Sequence, residues 1–139
     1  MMRVSDEHGA VTLWVLGLVF PMLLLGGLSL DLWRGFSERR SLAGIADAAA
    51  VAGANALDTD RLYATDQIRL DPTLAEDLAI ANLSAQLDDR SLDGWDVVAT
   101  PDSVTVRLTG TVDLTLLGMF YDRPWSLAVT ATARPQPLT

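Results

Sequence analysis

Hydrophobic and polar positions divide this chain into regions of three different periods. From Ala10 to Leu30 (AVTLWVLGLVFPMLLLGGLSL) no residue is charged, so a helix built from this run has no strongly polar face. Its twenty-one residues, rising about 1.5 Å each, reach roughly 30 Å, the thickness of a bilayer's hydrocarbon core. The run exceeds the apolar core of a secretory signal, roughly 7–15 residues. The residues that close it, Ser29-Leu30-Asp31-Leu32-Trp33, contain no small-x-small cleavage pattern. A small domain has too little interior to cover a helix that is apolar all round. The pattern therefore predicts a retained transmembrane helix over residues 10–33.

The helical pattern continues beyond the run. Residues 41–57 (SLAGIADAAAVAGANAL) are rich in alanine, the strongest helix former, and contain no proline. One long helix is expected from about Ala10 to about Leu57, with residues 34–57 extending out of the membrane. Pro21 falls mid-span and removes a backbone donor, which predicts a kink. Trp14 and Trp33 stand near the two ends of the run, where indole rings favour the headgroup level. Gly26 and Gly27 either add flexibility or admit a close partner helix. Small residues recur at spacing four: Ala46, Ala50 and Ala54 on one line, Ala48, Ala52 and Ala56 on another, and Ala49 with Gly53. Such seams let another helix or a sheet approach the backbone. Asp47 interrupts them without a helical ion-pair partner at i±4, which points to a structural contact with the folded domain or a neighbouring subunit.

Residues 58–71 (DTDRLYATDQIRLD) read as a linker with a short turn or two. Asp71-Pro72 opens a second helix, with a capping side chain followed by proline at the first helical position. Leu74, Leu78, Ala81 and Ala85 mark one stripe of it, with Ile80, Leu83 and Leu87 beside. Its end is expected near Asp89, followed by a turn at Asp93-Gly94. The last third changes to period two. Trp95 to Ala99 is a short strand, Val104 to Val112 a longer one after the turn at Thr100-Pro101-Asp102-Ser103, and Leu127 to Ala133 a third. Leu114 to Tyr121 (LTLLGMFY) reads as a short helix or wide loop packed on the sheet. The fold class is α+β: a long kinked transmembrane helix continuing into an Ala-rich helix, then a second helix and a small antiparallel sheet of about three strands.

Composition narrows the function. Residues 41–139 hold fourteen acids and six arginines, so the net charge of −8 lies outside the membrane run. An acidic domain is repelled by nucleic acid, and no nucleic-acid partner is expected. The chain has no cysteine and one histidine, His8, so neither a Ser-His-Asp nor a Cys-His site has its parts. Asp58, Asp60 and Asp66 lack the frame of an EF-hand loop and read as a solvated acidic loop, with a weak Ca²⁺ site as the alternative. No phosphate-cradling glycine motif occurs. No catalytic residue, cofactor or metal is expected, nor a small-molecule ligand.

Four features stand in order along the first third. They are the start Asp6-Glu7-His8-Gly9-Ala10-Val11, an apolar span with Phe20-Pro21 near its middle, Asp31 closing the span with Arg34 soon after, and Arg39-Arg40 leading into the alanines through Asp47, Ala50 and Gly53. Over about residues 6–57 this order resembles the TadE/TadG-like family of Flp-type (tight-adherence) pilus-assembly proteins. The resemblance implies a single-pass protein of the bacterial inner membrane with a pilin-like fold. Residues 1–9 are then a cytoplasmic tail and residues 58–139 an extracytoplasmic domain. The implied role is that of a minor pilin-like or assembly component, with other pilus proteins and the lipid bilayer as partners. Trp14, Pro21, Asp31, Trp33, Arg34, Asp47, Ala50 and Gly53 are its membrane and assembly positions.

The implied topology runs against the arginine count, in which Arg34, Arg39 and Arg40 outnumber Arg3 and favour a cytoplasmic carboxyl side. Cleaved pilin-like members carry glycine followed by glutamate at the fifth position, whereas Gly9 is followed there by Trp14. The metal-binding D-x-S-x-S motif of larger TadG-type members is also missing, so the resemblance is to a short, single-domain member. A different reading is a membrane-anchored binding module for an envelope ligand, with Trp95, Tyr121 and Trp125 as an aromatic platform.

Overall fold

One helix, α1 (Glu7–Ala54), carries the chain from the apolar run into the folded part without a break, continuing through Pro21. The computed structural model describes residues 7–87, 92–120 and 123–136. After α1 come α2 (Thr59–Thr65), α3 (Pro72–Leu87), β1 (Gly94–Thr100), β2 (Ser103–Val112), α4 (Leu116–Phe120) and β3 (Trp125–Ala133). This is the expected α+β class, with three antiparallel strands in the order β1-β2-β3. The expected helix end near Asp89 lies outside the described residues, as do Tyr121 and the tail up to Asp6.

Alternation decides which face of the sheet is covered. Val104, Val106, Leu108 and Val112 of β2 are buried, and Thr105, Arg107, Thr109 and Thr111 between them point the other way. The register aligns Leu127 with Gly110 and Val129 with Leu108, so the apolar rows of β2 and β3 share one face. On the open face, Thr105 and Thr132 are cross-strand partners whose hydroxyls lie 3.0 Å apart.

The covered face rests on two helices whose contact residues are mostly alanine. α1 contributes Leu42, Ile45, Ala46, Ala49 and Ala50, and α3 contributes Ala75, Ala79 and Leu83. Gly53 marks the closest crossing. A Cβ there would lie 2.7 Å from the Ala75 carbonyl oxygen, 3.0 Å from Val104 and 3.2 Å from Ala79. Of the small-residue seams, Ala46-Ala50-Ala54 and Ala49-Gly53 are internal packing, whereas Ala48 is exposed. α3 differs from expectation. Its Leu74, Leu78 and Ile80 are exposed, and its buried side is Ala75, Ala79 and Leu83. Two alanine faces bring helix backbones closer than leucines permit, so the small side chains take the interface and the large ones turn outward.

The segment expected as a linker is more structured than its composition suggests. Asp58 caps α2, its carboxylate accepting the Arg61 N–H at 3.1 Å, and Asp66 ends the helix in the left-handed conformation with φ 53°. Asp58 also pairs with the Arg61 side chain at 3.4 Å. α1 stops three residues short of Leu57, because Leu57 bridges to Leu70, and the Asp71 N–H reaches back to the Ala56 carbonyl at 2.9 Å. Asp71 then caps α3 by accepting the N–H groups of Thr73 and Leu74 at 3.0 and 3.3 Å. Glu76, one turn into α3, accepts the Ala99 N–H of edge strand β1 at 3.1 Å. The expected turn at Asp93-Gly94 is a bend leading directly into β1, which begins at Gly94.

Candidate functional site at the helix junction

α1 changes character at Asp31. Residues 9–30 are almost entirely exposed, with Trp14, Leu16, Phe20, Met22 and Leu25 each well over half accessible. From Leu42 onward the helix is part of the core. Asp31 stands between the two parts and is only 1% exposed, the one buried charged residue among those described.

Its partner is α4. One carboxylate oxygen of Asp31 accepts the Thr115 N–H at 2.9 Å, and the other accepts those of Leu116 and Leu117 at 2.6 and 2.9 Å. These are donors that the start of a helix leaves unsatisfied. A carboxylate fits them because it offers two acceptor oxygens and no donor. Arg34, one turn further along α1, donates to the Thr115 hydroxyl at 2.7 Å. Asp31 and Arg34, read from the sequence as a pair closing the span, thus converge on Thr115, the residue that precedes α4.

Two glycines permit the approach. A Cβ at Gly27 would collide with the Leu116 side chain, so Leu116 rests directly on the α1 backbone. At Gly35 a Cβ would lie 3.2 Å from the Trp125 ring. The sequence reading put Leu114–Tyr121 on the sheet. Instead, α4 docks on α1, because Asp31 takes its first donors and Gly27 opens room for Leu116.

The remaining candidates scatter. Trp14 and Trp33 are 80% and 69% exposed. Ala50 and Gly53 belong to the core. Asp47 is exposed, and among the described residues no hydrogen bond or ion pair ties it to the folded domain. Trp95 sits beside Ile80, Leu83 and Leu87 of α3, and Trp125 against Gly35 of α1. They occupy the two outer strands at different levels, partnered with Leu108 and Val112, roughly 15 Å apart by strand spacing and rise. No group of three or more metal-ligating side chains occurs among the described residues.

The sequence reading offered Gly27 as a point of close helix approach without naming α4 as the partner, and missed Gly35 and Thr115–Leu117 as parts of the junction. A usable signal was present: an acid ending an apolar span, with an apolar Leu-Leu-Gly segment elsewhere in search of a surface.

Residues 9–56 match the family model described as putative Flp pilus-assembly TadE/G-like, in agreement with the resemblance read over residues 6–57. No curated protein and no solved structure matches the chain. The matched stretch begins at the start of the apolar run and ends where α1 gives way to α2, and it contains both Gly27 and Asp31. α1 is long and apolar enough to cross a membrane, and none of its most apolar stretch is buried. Such a helix, within a segment matched to pilus assembly, is the pattern of a single-pass membrane protein with a pilus-assembly role.

Proposed function

We propose, from the family match over residues 9–56, that this chain is a minor pilin-like or assembly component of a Flp-type pilus or a related secretion machinery. It acts by packing and protein–protein contact. Residues 10–33 cross the bacterial inner membrane, the preceding tail is cytoplasmic, and the folded domain is extracytoplasmic. The observation that carries the reading is the division of α1. Its first half presents apolar side chains on every face, open to lipid and to other membrane helices, and its second half is built into the domain core. A displacement of the helix in the bilayer thereby reaches the domain through one continuous helix. Asp47, exposed on the extension, is available to a neighbouring subunit. The alternative, an anchored binding module for an envelope ligand, rests on an aromatic platform, and Trp95 and Trp125 lie on opposite strands.

The test is photo-crosslinking in native membranes from positions Val15 and Leu18, with piliation scored in a deletion strain. Recovery of pilus components and loss of pili are expected. Normal pili in the deletion strain, with no pilus protein crosslinked, would overturn the proposal.

A further inference from the structure

α4 is fixed at a definite level of α1. Leu116 rests on Gly27, and Gly27 lies inside the uncharged run, three residues before its last residue, Leu30. At about 1.5 Å per residue that is about 5 Å within the run. If the run fills the hydrocarbon core, Leu116 is below the polar boundary, and the rest of α4 is tethered beside it.

The side chains of α4 suit that position. Met119 and Phe120 are 78% and 79% exposed, among the most exposed large apolar residues of the chain. Leu116 packs on α1 at Gly27, whereas Met119 and Phe120, three and four positions on, stay open. Trp33 and Phe36 stand exposed on α1 nearby along the helix. Arg123 lies beside Leu114, Leu117 and Trp125, and Arg34 beside Trp33 in a groove shared with Glu38 and Asp113; a cationic head at the end of a span suits the level of lipid phosphates. A helix start is tolerated next to hydrocarbon only when its free N–H groups are satisfied by protein. Asp31 takes those of Thr115, Leu116 and Leu117.

We propose that α4 is seated in the lipid bilayer that α1 crosses, so that the folded domain rests on the membrane through Met119, Phe120 and Trp33. The occupant of this apolar surface is lipid because α4 is fixed at Gly27, within the uncharged run, where Leu24, Leu25, Leu28 and Leu30 of α1 are themselves exposed. The proposal rests on α1 crossing a bilayer and adds a second contact made by the domain itself.

The chain has no cysteine, so single labels can be placed without background. Full-length Leu18→Cys, Met119→Cys, Phe120→Cys and Thr130→Cys proteins are labelled with an environment-sensitive fluorophore. They are then reconstituted in phosphatidylcholine–phosphatidylglycerol vesicles containing lipids spin-labelled at shallow or deep acyl positions. Shallow quenching of about twofold is expected at positions 119 and 120, deep quenching at 18 and none at 130. If 119 and 120 behave like 130 while 18 is quenched, the span stands and the proposal fails. If 18 is also unquenched, the span itself fails, and the proposal with it. Labels at 119 and 120 shielded from both lipid and aqueous iodide would overturn it in favour of a protein-covered surface.

Discussion

The Leu116 side chain lies on the backbone of Gly27, where an added Cβ would force Leu116 to move. Its neighbour Gly26 has open space around the same position. Gly27→Val should therefore push α4 off α1, while Gly26→Val leaves it in place. Phe120 ends α4 and is exposed, so chymotryptic cutting after it reports the displacement. Faster cleavage is expected for Gly27→Val in detergent micelles, and the wild-type rate for Gly26→Val. Equal rates for the two variants would mean that α4 is not held by this contact.

Asp31 supports the same junction through hydrogen bonds. Asparagine is a poor replacement, because its amide turns a donor toward backbone donors. Both Asp31→Asn and Asp31→Ala should loosen the start of α4. Losing bonds to a charged acceptor raises local opening by about tenfold or more. Hydrogen exchange at the amides of Thr115, Leu116 and Leu117 measures this, with β2 as the internal control. Unchanged exchange in Asp31→Ala would show that water replaces the carboxylate.

Some of this architecture was legible in the sequence, and the reasons differ by element. Val104, Val106 and Leu108 alternate with polar residues, and a sheet covered on one face admits no other register for them. The length and composition of the apolar run likewise marked the first half of α1. The buried face of α3 was misread because Leu74 and Leu78 look like core positions, while the interface is set by how closely Gly53 lets the helices approach. The junction was half visible: Asp31 stood out as an acid closing an apolar span. Its partners lie more than eighty residues away. Neither hydrophobic period nor local propensity carries information about that pairing.

Gly53 should behave differently from Gly44, another glycine on the extension. A helical glycine gains about 0.5–1 kcal/mol on becoming alanine when space allows. Gly44 has that space, and Gly44→Ala should stabilise the protein by this amount. At Gly53 the new methyl meets a backbone carbonyl and two buried side chains, which cannot move aside. Overpacking of this kind costs about 1–3 kcal/mol, more than the helix gain. Denaturant unfolding of the full-length protein in detergent should show opposite shifts for the two variants.

Glu76 gives a test of the sheet edge. Glu76→Ala strands the Ala99 N–H, a partly buried donor, and should cost about 1 kcal/mol. Glu76→Gln retains an acceptor oxygen and should cost less. The same unfolding measurement separates them. Equal losses would indicate that the charge of Glu76, rather than its hydrogen bond, acts on the strand.

The division of α1 makes a prediction about what can fold alone. Residues 58–139 contain the whole sheet and α3, but the apolar face of the sheet also rests on Leu42, Ile45, Ala46, Ala49 and Ala50 of α1. A fragment of residues 58–139 exposes that face and should lack a cooperative thermal transition and bind a hydrophobic dye. A fragment beginning at Leu28 retains these residues together with Asp31, and should unfold cooperatively in mild detergent. The comparison distinguishes two roles for the long helix. If α1 is only a tether, the short fragment folds as well as the long one. If α1 is half of the domain's core, only the long one folds, and a force on the membrane helix then reaches the sheet without an intervening hinge.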